Sequence, residues 1–222
     1  MLNIYVGYDS REAIAHHVFC NSVARRSSIP VAFVPLALNT LPFYMEQHGD
    51  GSNSFIYSRF LVPYLNGYKG KALFVDGDML CKADIAEIFD FLKDDMDVAV
   101  VKHDYKTKHS KKYLNNSNED YPRKNWSSVV LWNCESLRNR VLTPQFVQSM
   151  PGSYLHRFQW LEDERIGEIP KTWNWLVDEY EHNDRAKLLH YTIGIPAFQA
   201  YRDCDHSGEW WREFHKVVEV EP

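Results

Sequence analysis

Asp76 and Asp78 flank a single glycine directly after an apolar run, Lys71-Ala-Leu-Phe-Val75. Two carboxylates this close repel unless a cation, a proton or a basic partner stands between them. Hard oxygen ligands at this spacing suit Mn²⁺ or Mg²⁺, ions that keep coordination positions open for phosphate oxygens. Gly77 permits an unusual backbone angle and the close approach of a ligand. The tripeptide also fits a plain turn with two solvated aspartates, because Asp-Gly is a common turn dipeptide.

Other groups could carry chemistry. Glu162-Asp163-Glu164 is an acidic cluster that by itself reads as a solvated helix face. Segment 103–125 holds six Lys/Arg against three Asp/Glu, with Tyr105, Tyr113 and Tyr121 among them. Such a stretch could track a phosphate backbone, yet the formal charge of the whole chain is −5. That acidity argues against nucleic acid, and a flap that orders over a ligand is the preferred reading. His16-His17 has no partner at metal-ligand spacing.

These residues need a scaffold. Strand-like runs fall at Asn3–Tyr8, Val31–Leu36, Lys71–Val75, Asp97–Val101, Ser127–Trp132 and Lys187–Tyr191. Helical patterns fall at Ser10–Arg26, with Asp9 as N-cap and Glu12 three residues on, and at Ser54–Leu65, where Pro63 ends or kinks the run. Further helices are expected at Ala83–Leu92, Thr143–Met150 and Gly208–Val218. The alternation predicts an α/β fold: a mostly parallel, Rossmann-like central sheet flanked by helices, in one domain over residues 1–222. In such sheets ligands bind beyond the carboxyl ends of strands, where Asp76 and Asp78 fall.

With 45 % apolar and 14 % aromatic residues the chain can fill a core. Cys20, Cys81, Cys134 and Cys204 form no CxxC pair and read as reduced, packed thiols of a cytoplasmic protein. No signal peptide and no apolar run long enough to span a bilayer is visible.

Three segments, in order, resemble retaining glycosyltransferases of the glycogenin and lipopolysaccharide galactosyltransferase type, which are glycosyltransferase family 8-like and have the GT-A fold. They are Ile4-Tyr-Val-Gly-Tyr-Asp9 before a helix, Tyr57-Ser-Arg59 leading to Phe74-Val-Asp-Gly-Asp78, and the late His190-Tyr-Thr-Ile-Gly194. The resemblance implies transfer of a sugar from a nucleotide-sugar donor, a UDP-sugar, to a carbohydrate or other hydroxyl acceptor. It implies that Asp76, Asp78 and His190 hold the metal, the imidazole favouring Mn²⁺ over Mg²⁺. Gly7, Tyr8 and Asp9 would receive base and ribose, Asp9 serving as a base acceptor, a helix cap, or both. Arg59, Asp76, Gly77 and Gly194 would line the donor, and Asp163 would lie beneath the anomeric carbon. Trp173 and Trp175 would stack on an acceptor sugar or fill the core. Two stretches depart from the family pattern. Asn125-Trp-Ser-Ser128 replaces the Asn-Ser-Gly type, and Gly194-Ile-Pro196-Ala-Phe198 lacks the late lysine that would touch the donor phosphate.

Rival classes fit less well. A nucleotidyltransferase would more often show a Gly-rich loop with a basic residue after the first strand, which Gly7-Tyr8-Asp9-Ser10 does not supply. A phosphatase of the haloacid dehalogenase type carries its paired aspartates near the first strand and continues Asp-Gly-Thr, whereas Met79 follows here. A nucleotide-sugar-binding module without transfer activity remains the other alternative.

Overall fold

The computed structural model describes residues 1–49 and 53–219. In chain order its elements are β1 (Leu2–Gly7), α1 (Ala13–Ala24), β2 (Val31–Leu36), α2 (Val62–Leu65), β3 (Lys71–Val75), β4 (Met79–Cys81), β5 (Val98–Val100), β6 (Val129–Asn133), α3 (Pro144–Ser149), α4 (Gly152–His156), β7 (Ile166–Glu168), β8 (Trp175–Leu176), β9 (Leu188–His190) and α5 (Ser207–Val218). Six strands form one sheet in the order β2-β1-β3-β6-β5-β7. Only β6 runs against its neighbours, so the sheet is mostly parallel, as expected. A second sheet, β4-β9-β8, stands beside it.

Strand alternation sorts the core onto two faces. Tyr5, Phe74, Val100, Val130 and Trp132 pack on one side, and Ile4, Val6, Leu73, Val75, Ala99 and Leu131 on the other. A third cluster, with Ala15, Val18, Leu189 and Trp210, joins α1, α5 and the small sheet. The four cysteines are free thiols.

Several local expectations change. Asp9 does cap the turn after β1, accepting from the Arg11 N–H, but that turn is 3-10 over Ser10–Glu12 and the α-helix starts at Ala13. Glu12 completes no capping box; it is buried and bonds to Tyr113. The helix expected at Ser54–Leu65 is turns followed by a 3-10 segment Ser58–Leu61, and only Val62–Leu65 is α-helical. Pro63 sits in the first turn of α2, where its missing N–H costs nothing, so it does not end a helix. Ala83–Leu92 narrows to a 3-10 helix, Ile85–Phe91, capped by Asp84. The strand β4, directly after the aspartates, was not expected, and it places the Asp76-Gly77-Asp78 turn between two sheets.

Candidate metal and donor site

Asp76 leaves the end of β3 and Asp78 enters β4, so two strands hold the carboxylates from opposite ends of one short turn. Gly77 between them is needed for space, not for a left-handed angle. A Cβ there would stand 2.3 Å from the carbonyl oxygen of Gly7. The turn is thereby pressed against the end of β1. His190, at the end of β9, pairs with Met79 across the small sheet, which carries its ring to the same point. Its Nε2 lies 3.3 Å from Asp78 Oδ1 and 3.8 Å from Asp76 Oδ2. Among the described residues, Asp76, Asp78 and His190 form one of two groups able to hold a metal, and all three are buried.

Hydrogen bonding orients the imidazole. The Asn174 amide nitrogen donates to Ser128 Oγ (2.7 Å), and the Ser128 hydroxyl donates to the Asn125 carbonyl (2.7 Å). Asn174 Oδ1 is thus left to accept from His190 Nδ1–H at 2.9 Å. Nε2 then carries the lone pair and faces the carboxylates, the tautomer a metal ligand needs. Asp78 Oδ1 is buried without a hydrogen bond, and Asp76 Oδ1 has the Arg59 guanidinium 2.7 Å away. Burial pushes the Asp76 carboxyl up to about 6 and Asp78 adds to the rise, against the pull of the Arg59 guanidinium. Two crowded carboxylates and an imidazole lone pair fit a divalent cation that takes mixed O/N ligands.

Arg59 is no surface residue. It is buried, 2.7 Å from Asp76, and donates to the carbonyls of Ile56 and Ser127 at 2.9 Å each. The rings of Phe55 and Phe74 lie about 5 Å from it.

The segment 103–125 folds over this group. Its interior is tied to Glu179, which accepts from Thr107, from the Lys108 N–H and from Asn118. Tyr113 N–H donates to the Ile193 carbonyl at 2.7 Å, and its ring stacks on Phe198. Lys112 is brought to line the cavity with Asp76 and Asp78, and burial lowers its ammonium below the ordinary lysine value. Arg123 and Asn125 take left-handed backbone angles (φ 62° and 61°), a strained geometry that clusters at functional sites. Glu12 lies behind Tyr113. Burial, with Asp78 nearby, pushes its carboxyl up to about 9.

The innermost cavity, about 50 Å³, holds room for an ion and water rather than for a nucleotide sugar. It continues past Ile56, Tyr121 and His156 into a cavity of about 240 Å³ beside Tyr57 and Gly152. Beyond Arg157 follows an open cavity of about 500 Å³ lined by Arg123, Tyr154 and Asp163. The three make one trench leading away from the aspartates. His156 lines it as a neutral imidazole, its Nδ1 2.7 Å from Ser127 Oγ and its pKa well below the ordinary value through burial.

The remaining expected residues scatter. Gly7 ends β1, and a Cβ on it would strike the Phe55 ring. Tyr8 packs edge-on against His16. Asp9 is consumed within the protein by Arg11 and by the N–H and hydroxyl of Ser54. Gly194 does not line the cavity; its missing Cβ makes room for the Tyr201 ring. Trp173 is fully buried in the core, where no sugar can reach it, and Trp175 bonds to the Glu181 carbonyl at 3.1 Å, away from the trench. Asp163 is at the outer end, its side chain 76 % exposed and paired with Arg123. Lys112, Asn174 and His156 have no role in the sequence reading, because none belongs to a local motif, and Glu12 reads there only as part of a helix cap.

No family model matches the chain. Among solved structures it is similar to the WbbM bifunctional glycosyltransferase (TM-score 0.67, 13 % identity), covering 96 % of this chain and about half of that one, 49 %. It is also similar to the galactosyltransferase LgtC, solved with donor and acceptor sugar analogs (TM-score 0.61, 12 % identity, 99 % and 98 % covered). GlyE of Streptococcus pneumoniae TIGR4 gives 0.62 at 11 % identity, with 99 % and 62 % covered. These likenesses show the GT-A fold. In sequence, the chain is 43 % identical to Protein CDI of Arabidopsis thaliana over an alignment of 222 positions that covers 96 % of this chain and 86 % of the relative. At that identity, over nearly the full length of both, the chain belongs to the family of Protein CDI.

Proposed function

We propose that this protein is a metal-dependent glycosyltransferase that moves a sugar from a nucleoside-diphosphate sugar, a UDP-sugar, to a hydroxyl acceptor with retention at the anomeric carbon. The observation that carries the reading is the convergence of Asp76, Asp78 and the lone-pair side of His190 in one buried pocket at the inner end of a trench. A bound Mn²⁺ or Mg²⁺ supplies positive charge against the departing nucleoside diphosphate.

The chain's own residues do the rest. Asp76, Asp78 and His190 hold the ion, and Asn174 keeps His190 in register. Arg59, locked by Asp76 and Ser127, presents its guanidinium edge to the donor. Lys112 takes the place of the late lysine that Gly194-Ile-Pro196-Ala-Phe198 lacks, and neutralises phosphate charge from the opposite wall. His156 faces the sugar in the trench. Asp163, at the outer end, is the carboxylate on the acceptor side, held by Arg123 until substrate enters. Lys112 and Tyr113 shield the site from water.

Thermal shift with UDP, GDP and CDP, each with and without Mn²⁺, tests the reading. Stabilisation by UDP only when Mn²⁺ is present supports it, and a panel of UDP-sugars scored for slow hydrolysis then identifies the donor. Indifference to every nucleotide overturns it.

A further inference from the structure

The other metal-competent group among the described residues is His182, Asp205 and His206, none of which lines the cavities of the donor site. Asp205 and His206 form the turn that enters α5, and His182 lies in the segment after β8. The two imidazoles stack with centroids 4.3 Å apart and planes within 15°. Asp205 sits against both: Oδ1 is 2.6 Å from His182 Nδ1 and Oδ2 is 3.5 Å from His206 Nε2.

The His206 side chain is completely buried, and its Nε2 makes no hydrogen bond. A buried polar atom without a partner is costly. It faces the Asp205 carboxylate, so a cation between them would satisfy both. His206 also holds a left-handed backbone angle, φ 55°, which a non-glycine residue adopts only under constraint.

The surroundings match a transition-metal site. His206 Nδ1 is 3.1 Å from Glu209 and His182 Nε2 is 3.2 Å from Asp184. The Glu209 partner on His206 Nδ1 leaves Nε2 as the lone-pair nitrogen facing Asp205, while His182 bonds to a carboxylate at both nitrogens, so a metal there would replace the Nδ1 proton shared with Asp205. Three carboxylates (Asp184, Asp205 and Glu209) meet the ammonium of Lys82, which reaches Glu209 at 3.3 Å. The excess is negative and invites a dication. Tetrahedral zinc bonds of 2.0–2.1 Å put ligand atoms about 3.3 Å apart. The Asp205–His206 separation is close to that already. The His182 ring is half exposed and free to move outward from its hydrogen bond with Asp205.

We propose that His182, Asp205 and His206 bind a zinc-class divalent metal, with water completing the shell, and that the ion ties the segment after β8 to the start of α5. This site is independent of the donor reading. Two imidazoles make it softer than the Asp-Asp-His pocket, so it selects Zn²⁺ over Mg²⁺.

The test uses the full chain carrying Asp78→Asn, which disables the donor-site metal group, after chelation and dialysis. Titration with Zn²⁺ is expected to show one ion per chain and a melting temperature raised by about 5 °C or more at saturation. Co²⁺ is expected to give a visible absorption band that Zn²⁺ displaces. Adding His182→Ala, a half-exposed position that should not disturb folding, is expected to weaken Zn²⁺ binding at least 100-fold and remove the band. Asp184→Asn should weaken it about 10-fold. Equal Zn²⁺ affinity with and without His182, or no saturable binding in the His182 protein, overturns the proposal.

Discussion

Asn174 sets the tautomer of His190: its side-chain oxygen accepts the Nδ1–H at 2.9 Å, and its nitrogen is committed to Ser128. Asn174→Ala releases the ring without touching a ligand. Metal affinity measured by titration calorimetry should fall about 10- to 100-fold. An unchanged affinity would show that His190 needs no such support.

Asp78→Asn keeps the shape of the turn and removes one of two crowded charges. Transfer activity should fall at least about 100-fold while the chain still folds, as read by its circular dichroism and melting curve. Turnover at the wild-type rate in that variant would remove Asp78 from the metal set.

Glu12 gives a pH signature. Its carboxyl is pushed up by burial from an ordinary 4.5 to about 9. Between those values the folded chain holds a proton that the unfolded chain has lost, so the contribution of Glu12 to stability is fully present below pH 4.5 and is lost as pH rises toward 9. The contribution to the slope is at most about 1.4 kcal/mol per pH unit. In metal-free protein, Glu12→Gln should flatten that decline, as read by urea denaturation at pH 6, 7 and 8. Parallel curves for the two proteins would contradict the burial argument.

Lys112→Ala removes the cation that segment 103–125 lends to the pocket. The donor KM should rise about tenfold or more, and Lys112→Arg should recover part of the loss because the charge returns. A change in acceptor KM alone would move Lys112 to the other side of the trench.

Gly77→Ala introduces a Cβ that would stand 2.3 Å from the Gly7 carbonyl. Backbone on both sides leaves no flexible atom to yield, so a loss of about 1–3 kcal/mol is expected in chemical denaturation. Tolerance of alanine without loss would mean the two turns can part.

The strand ends were readable because their signal is local. An apolar run followed by Asp-Gly-Asp is a statement about eight consecutive residues, and β3 and the carboxylates lie where that statement puts them. The sheet was readable for the same reason, save for β4, β7 and β8, each two or three residues long and too short for a period to register. What the chain does by returning on itself was not readable. Lys112 reads as one more charge in a basic loop until Tyr113 is pinned to Ile193. Trp173 and Gly194 have residue types that serve ligand contact and packing equally well, and only burial separates the two. Asp9 looked available to a base until Ser54, from a turn far along the chain, took its oxygen.

The antiparallel pairing of Met79 with His190 carries a consequence for how the protein matures. The two aspartates and the histidine are separated by about half the chain, and the two-sided small sheet is what joins them. Strand β9 is three residues long, and a slip of one position would turn the His190 ring to the opposite face. The nascent chain therefore owns the carboxylates long before it owns the site. If the site takes the proposed metal, tight capture begins only when the C-terminal third has docked in register, and ion uptake would then read out completed folding.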